Sequence, residues 1–345
     1  MRRAQILGTG LYAPERVVPN SHFDEMYGED VSSFLVERRN IRERRYAAEG
    51  ETTSDLVVGA AREALAASGT HAEDLDLIVV STDTPDYLSP STAAVVQHKL
   101  GATGAGSFDL NTACAGFVTA LDVANKYVVA DDPERPQYRR VLVAGAYLMS
   151  RFIDYRHKNT ATLFADGAGA VVLGPTEGRG GVLASELETR GEFAEHMGIY
   201  VGGAAAPATA ERVAAQEHLL QFREKFPREF NRESWSAVAR RLTERVGVDV
   251  ADVDHWVFTQ INVESIRETM ALLEQPMDKA VLVMDRYGYT GSACVPMALA
   301  DADREGRFRD GDLVVLIASG GGAAIAGLAL RWGAGEPPAR TQERV

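Results

Sequence analysis

The residue with the greatest potential for chemistry is Cys114, which stands in the stretch Asp-Leu-Asn-Thr-Ala-Cys-Ala-Gly-Phe at 109–117. Residues 106–110 have the pattern of a short strand. Apolar residues recur at helical spacing after the cysteine, so we predict a helix from about Ala115 to Val129. Cys114 would then lie at the helix N-terminus, where unpaired backbone N–H groups and the helix dipole stabilise a thiolate. The alternative is a small buried residue at a tight turn, the commoner role of a free cysteine.

Three further positions could bring reactive or flexible groups close to Cys114. Thr259, Tyr289 and the glycine run at 320–322 each lie just beyond the end of a predicted strand, as Cys114 does. In α/β folds, substrates bind at the C-terminal ends of the strands, where loops lead into helices. The sequence therefore predicts a site at these strand ends.

The predicted strands and helices that would position these residues occur twice in the same order. The segment LDLIVVSTD at 75–83 corresponds to VDHWVFTQI at 253–261, and RRVLVAGAYL at 139–148 corresponds to GDLVVLIASG at 311–320. Continuous apolar strands that alternate with helices predict parallel sheets covered by helices on both faces. We therefore predict an α/β fold formed by internal duplication, with one half over residues 1–175 and the other over residues 176–345.

Composition excludes several classes of protein. The 345 residues are 46% hydrophobic and 25% charged, which is typical of a soluble globular protein. The net charge of −13 argues against general nucleic-acid binding. Two cysteines cannot form a disulfide framework, and the N-terminus does not have the pattern of a signal peptide, so we predict a cytoplasmic protein. We also predict no membrane-spanning segment and no metal site.

Four longer motifs follow one another along the chain: DLNTACAGFVTALDVA, LFADGAGAVVLG, DRYGYTGSACVPMALADA and ASGGGAAIAGLAL. Together they resemble the thiolase superfamily, and most closely the β-ketoacyl-[acyl-carrier-protein] synthase III family, over residues 3 to 332. The resemblance implies a thiolase-like, five-layered αβαβα fold, a homodimer and no permanently bound cofactor. It also implies an acyl thioester on Cys114, loaded from acyl-coenzyme A or a phosphopantetheinyl acyl carrier protein. The oxyanion hole would consist of the backbone N–H groups of Cys114 and Gly321.

Two positions depart from the pattern of the condensing enzymes in that family, which pair the cysteine with a histidine and an asparagine. The histidine position corresponds to Thr259 and the asparagine position to Tyr289. A threonine hydroxyl cannot act as a base near pH 7, and a tyrosine side chain would fill the space of a malonyl group.

We therefore predict an acyltransferase that passes its acyl group to an alcohol or amine of a small-molecule acceptor, in secondary metabolism such as a polyketide pathway. Two alternatives stay open. One is a decarboxylative condensing enzyme with altered catalytic residues, and the other is a non-catalytic partner subunit of such an enzyme.

Transfer to an alcohol or amine requires a base, and Asp83 is the first candidate. It follows the strand at 75–82, where the related hydroxymethylglutaryl-CoA synthases carry a catalytic glutamate. Its alternative role is to cap the turn before Pro85. His196 is the second candidate, because it falls in a loop region that borders the pocket in this fold; otherwise it is an exposed loop residue.

Donor binding is predicted at Phe34, Arg38 and Lys158. The resemblance implies that Phe34 and Arg38 clamp the nucleotide of coenzyme A, and that Lys158 takes the place of a phosphate-contacting arginine. The basic run at 38–45 is otherwise typical of a solvated surface. It could also supply a local basic patch for an acidic carrier protein.

Overall fold

The computed structural model describes residues 2–333, and its frame is a pair of five-stranded sheets. In chain order the strands are β1 (Arg3–Tyr12), β2 (Arg16–Pro19), β3 (Glu43–Tyr46), β4 (Leu77–Ser81), β5 (Gly106–Leu110), β6 (Val141–Leu148), β7 (Asp166–Thr176), β8 (Gly181–Thr189), β9 (Met197–Gly198), β10 (Gln221–Phe222), β11 (His255–Phe258), β12 (Ala280–Val281), β13 (Leu313–Gly320) and β14 (Ala324–Arg331). The first sheet has the order β1-β7-β6-β4-β5, and the second has the order β12-β11-β13-β14-β8. The pairs β2–β3 and β9–β10 form two small separate ribbons.

The two sheets repeat one topology. When the five strands of each sheet are numbered within their own half of the chain, both sheets have the order 3-2-4-5-1. Strands β4 and β11 occupy the same place, as do β6 and β13, so the sequence correspondence between these pairs is confirmed. The division of the chain at residue 176 stays a prediction; β7 ends at Thr176 and β8 begins at Gly181.

The prediction of parallel sheets was wrong for two of the four strand pairs in each sheet. Strands β4, β5 and β6 are parallel, but β7 and β1 run antiparallel to their neighbours. The second sheet repeats this pattern, with β14 and β8 antiparallel. Only three residues, Gly321–Ala323, separate β13 from β14, and so short a connection permits only an antiparallel hairpin.

Helices form three layers around and between the sheets. They are α1 (Asn20–Tyr27), α2 (Ser32–Phe34), α3 (Thr53–Ser68), α4 (Thr92–Leu100), α5 (Gly116–Ala130), α6 (Lys158–Ala161), α7 (Ala210–Ala214), α8 (Phe230–Val246), α9 (Val263–Leu272), α10 (Met284–Tyr287) and α11 (Cys294–Arg304). Helices α3 and α4 pack on the first sheet, α8 and α9 cover the second, and α5 and α11 contact strands of both sheets. This arrangement confirms the five-layered αβαβα fold.

The central helix α5 explains one further departure from the sequence prediction. The stretch Ala113–Ala130 is long and apolar enough to cross a membrane by length and composition, but 67% of it is buried within the fold. A helix enclosed by two sheets needs an apolar surface on nearly every side. We therefore interpret this stretch as a core helix.

Two local predictions also need correction. The apolar pattern at 280–285 predicts a strand, but the strand ends at Val281, because the side chain of Gln260 bonds to the backbone of Val281 and Val283 where a neighbouring strand would otherwise pair. The basic run at 38–45 is not simply a solvated surface. Arg44 is completely buried, and its guanidinium donates hydrogen bonds to the Val18 and Thr162 carbonyls and to the Asn20 side chain.

Candidate active site

Cys114 lies in a tight turn between β5 and α5, two residues before the helix begins, as the sequence predicted. Ala113 has a φ of +48°, a left-handed conformation that is uncommon for a residue other than glycine and that clusters at functional sites. Gly320, at the end of β13, packs against this turn. A Cβ atom at position 320 would lie 2.6 Å from the Cys114 backbone nitrogen. The duplicated halves of the chain therefore meet at Cys114.

The electrostatic environment of Cys114 differs from the prediction of a readily formed thiolate. The residue is only 3% exposed. Burial raises the pKa of the thiol, and the negative charge of Asp83 raises it further, whereas a hydrogen bond from the Tyr289 phenol lowers it. Because burial outweighs the helix N-terminus here, the thiol needs a group that accepts its proton before it can attack.

Thr259 follows β11 directly and is buried beside Cys114. Its Oγ1 atom accepts a hydrogen bond from the Ser319 backbone N–H at 3.0 Å, so the hydroxyl proton is left to donate to another group. The Ser319 hydroxyl accepts a bond from Trp235 Nε1 and donates one to Asn231 Oδ1, each at 3.1 Å. These bonds fix Thr259, Ser319 and Asn231 together.

The backbone of Tyr289 is held in place by two hydrogen bonds. Its backbone N–H bonds to the Leu163 carbonyl and its carbonyl accepts from Ala165, both at 2.9 Å. Gly288 before it has φ +64° and ψ −153°, a conformation essentially restricted to glycine. Burial raises the pKa of Tyr289 well above its usual value, so the phenol stays neutral and can donate a hydrogen bond.

A cavity of about 120 Å³ connects these groups, and we call it the inner cavity. Cys114, Thr259 and Tyr289 lie in its wall, so the structure brings together three of the predicted site residues. Gly320, from the glycine run noted in the sequence, also lies in the wall. Sequence reasoning missed the other residues, which are aromatic, aliphatic and polar: Met197, Phe222, Phe226, Pro227, Arg228, Phe230, Asn231, Ile261 and Ser319. The apolar pattern predicts a helix from Trp235 to Val246, but α8 begins at Phe230, so Asn231 lies outside the predicted helix.

Asp83 is not part of the inner-cavity wall. The residue is partly buried, and its Oδ1 atom is enclosed without a hydrogen-bond partner. Burial raises the pKa of Asp83 to about 6. A carboxylate with this pKa is ionised at neutral pH and is suited to accept and return a proton. Its charge also raises the pKa values of Cys114 and Tyr147, which indicates that it faces the same interior region.

The remaining candidates have different surroundings. Gly321 lies beside Met197 of the inner cavity, since a Cβ atom there would be 3.3 Å from the Met197 carbonyl, and its role in the oxyanion hole stays a prediction. His196 packs against the rings of Phe193 and Phe226, and its Nε2 atom lies 3.5 Å from Glu224. Like Asp83, it is not among the residues of the inner-cavity wall, and its role as a base stays a prediction.

A second, outer cavity of about 490 Å³ lies where donor binding was predicted. Phe34 and Arg38 both line it, and Arg228 lines both cavities, so the two cavities are neighbours. We interpret the outer cavity as the entrance to the inner one. Lys158 is not part of this wall; its Nζ atom lies 2.6 Å from Glu29. Among residues 2–333, no group of three or more His, Cys, Asp or Glu side chains is placed to hold a metal ion.

Known proteins resemble the chain over nearly its whole length. The family described as 3-oxoacyl-[acyl-carrier-protein] synthase III matches residues 108–191, and the C-terminal part of that family matches residues 243–332. The β-ketoacyl-[acyl-carrier-protein] synthase III of Syntrophomonas wolfei is 38% identical over 331 residues, which covers 96% of this chain and 98% of that protein.

Solved structures of β-ketoacyl synthases also match the chain over nearly its whole length. The β-ketoacyl-[acyl-carrier-protein] synthase III of Thermus thermophilus has a TM-score of 0.85 at 33% identity, and the match covers 96% of this chain and 99% of that one. The priming β-ketosynthase of a polyketide biosynthetic pathway has a TM-score of 0.85 at 30% identity, with 97% of each chain covered.

Proposed function

This chain belongs to the β-ketoacyl-[acyl-carrier-protein] synthase III family, and we propose that it is an acyltransferase that holds its acyl group as a thioester on Cys114 and passes it to an alcohol or amine. The observation that carries the proposal is the composition of the inner cavity. Cys114 shares it with the hydroxyl groups of Thr259 and Tyr289, and its described wall contains no imidazole. Hydroxyl groups can bind and orient an acceptor, but they do not provide a base.

The loading step exchanges one thioester for another. The Cys114 sulfur attacks the carbonyl carbon of the donor while Asp83 accepts the thiol proton, and the backbone N–H groups of Cys114 and Gly321 stabilise the oxyanion. The bond between the carbonyl carbon and the donor sulfur then breaks. The donor leaves as a thiol with the proton that Asp83 returns, and the acyl group stays on Cys114.

The transfer step uses the same groups in the same order. The oxygen or nitrogen of the acceptor attacks the acyl carbon, and Asp83 accepts the proton that the acceptor loses. The bond to sulfur breaks, Cys114 regains that proton from Asp83, and an ester or amide is released. Thr259 and Tyr289, as neutral donors, orient the acceptor beside the thioester.

We assign acyl-coenzyme A or a phosphopantetheinyl carrier protein as the donor and a small molecule as the acceptor. The names of the relatives, which are synthases acting with an acyl carrier protein, support the donor. The relative from a polyketide pathway supports a place in secondary metabolism.

Decarboxylative condensation is the second candidate, and the names of the relatives favour it. One feature of the inner cavity also supports it. The Oδ1 atom of Asn231 accepts the bond from Ser319, so its amide N–H groups are free to donate to a thioester carbonyl in place of the missing asparagine. This candidate requires release of CO2 from a malonyl thioester.

Mass spectrometry of the intact protein with a panel of acyl thioesters tests the proposal. We expect one acyl adduct on Cys114, absent in Cys114→Ala and retained in Cys294→Ala, the control for the other buried thiol. Release of the acyl group by alcohols or amines without CO2 from malonyl thioesters supports acyl transfer. Release of CO2 assigns the condensing reaction instead, and the absence of any adduct would identify a non-catalytic partner subunit.

A further inference from the structure

The arginine side chains that line the outer cavity form ion pairs with carboxylates. Arg38 Nη1 lies 2.9 Å from Glu264 Oε1, and Arg39 Nη1 lies 3.5 Å from Glu264 Oε2. Glu264 therefore contacts both arginines through its two oxygens. Its side chain is 38% exposed, so it lies in the wall of the entrance and not beneath it.

Two further cations are paired in the same way. Arg228, which lines both cavities, lies 3.8 Å from Glu268, and Lys158, predicted to contact a phosphate but outside this wall, lies 2.6 Å from Glu29. The ring of Phe34, predicted to stack on a nucleotide base, carries the Arg39 guanidinium 5.0 Å from its centre. Each group expected to bind the nucleotide of coenzyme A thus already has a partner within the chain.

These pairs affect the two possible donors differently. Coenzyme A carries a pyrophosphate and a ribose phosphate, whereas a phosphopantetheine arm carries one phosphate. A polyanion that approaches Arg38 and Arg39 also approaches the carboxylate of Glu264, and the like charges repel each other. Exposed ion pairs are weak, so the arginines can exchange partners, but the negative charge of Glu264 stays in the entrance.

We infer that Glu264 is a specificity-determining residue that disfavours coenzyme A and leaves phosphopantetheine thioesters as the preferred donors. The inference rests on the proposed function, because it concerns the donor that loads Cys114. Glu264 acts through charge at the entrance and does not touch the reacting atoms.

The test compares loading of Cys114 by three thioesters with the same acyl group: acyl-coenzyme A, acyl-4′-phosphopantetheine and acyl-N-acetylcysteamine, which has no phosphate. The proteins are the wild type, Glu264→Gln and Glu244→Gln. Glu244 is exposed near the C-terminus of α8, about 20 Å along that helix from Asn231, so its replacement changes the net charge equally but far from the entrance.

We expect Glu264→Gln to raise kcat/KM for acyl-coenzyme A about five-fold relative to acyl-4′-phosphopantetheine, mainly through KM, and expect the gain to shrink at high ionic strength. The Glu244→Gln protein should keep the wild-type ratio. An unchanged ratio in Glu264→Gln, or an equal rise in Glu244→Gln, would overturn the inference. If no thioester loads Cys114 in the wild type, including acyl-N-acetylcysteamine, the proposed function fails instead.

Discussion

At the scale of single residues, the central question is how a buried thiol becomes reactive without a histidine. Cys114 has a raised pKa because it is enclosed, and the negative charge of Asp83, a carboxylate with an unpartnered oxygen, raises that pKa further. The buried position of Asp83 lowers the stability of the folded protein, because burial disfavours the ionised form of the carboxyl group. Such an arrangement is typical of groups that exchange protons during a reaction.

The first prediction concerns the pH dependence of Cys114 loading. Asp83 must be ionised to accept the thiol proton, so the loading rate should rise with pH through a pKa of about 6 and then level off. Asp83→Asn should lose this rising limb and load at least about a hundred-fold more slowly. Single-turnover loading, followed by mass spectrometry across this pH range, measures both. If the loading rate of Asp83→Asn still rises over the same pH range, another group accepts the proton.

The second prediction concerns stability. The folded protein holds the proton of Asp83 more tightly than the unfolded chain does, so ionisation of Asp83 destabilises the fold as the pH rises from about 4 to about 6. Asp83→Asn should therefore raise the free energy of unfolding near pH 7 by about 3 kcal/mol, and the gain should vanish towards pH 4. Urea unfolding at both pH values measures it. A gain that is independent of pH would contradict this account.

At the scale of elements, the site depends on the contact between the turn at 113–114 and the end of β13. Gly320 has no side chain, and this permits the backbone of the second sheet to reach the nitrogen of Cys114. The β13–β14 hairpin also places Ser319 where its N–H bonds to Thr259. One short hairpin therefore fixes both the nucleophile turn and the residue in the histidine position.

The third prediction tests this contact with Gly320→Ala. The added Cβ atom would lie 2.6 Å from the Cys114 nitrogen and 2.8 Å from the Thr112 carbonyl, so the turn must shift. We expect loading of Cys114 to fall at least ten-fold and stability to fall by about 1–3 kcal/mol. The matched control is Gly203→Ala, where the new Cβ atom would meet no atom within 4 Å. Normal loading in Gly320→Ala would show that the turn has room to adjust.

At the scale of the whole molecule, the duplicated sheets enclose α5 and α11, and each half supplies part of the site. The first sheet ends in β5, which among residues 2–333 pairs with β4 alone, so that no described strand covers its other edge. Phe108 of this strand packs close to Tyr127, a ring that is 38% exposed. An unpaired strand edge beside exposed aromatic surface is suited to pairing with a second chain.

The fourth prediction is the homodimer that the family resemblance implies. We expect light scattering after size exclusion to give about twice the 37.3 kDa mass of one chain, with no dissociation on moderate dilution. Covering of the β5 edge should protect the amide groups of residues 106–110 from hydrogen exchange. A mass of one chain at micromolar concentration would contradict the prediction.

The cytoplasmic location also stays a prediction, which rests on the sparse cysteines.

The sequence by itself determined the family, the duplicated αβαβα fold and the turn that carries Cys114, because these depend on local patterns and on motifs in a fixed order. It also identified Thr259 and Tyr289, since their positions within the motifs are fixed. The local apolar pattern also predicts helices over 53–68 and 92–100, and these bounds agree with α3 and α4 residue for residue.

Only the tertiary structure decided what surrounds these residues. Asn231 and Ser319 reach the site through contacts between distant segments, and no local pattern records such contacts. The raised pKa of Cys114 follows from enclosure by both halves of the chain, which outweighs the helix N-terminus that the sequence shows. The pairing of Arg38 with Glu264, 226 residues away along the chain, likewise depends on packing. Burial and charge pairing are long-range properties, so they become visible only when the chain is folded.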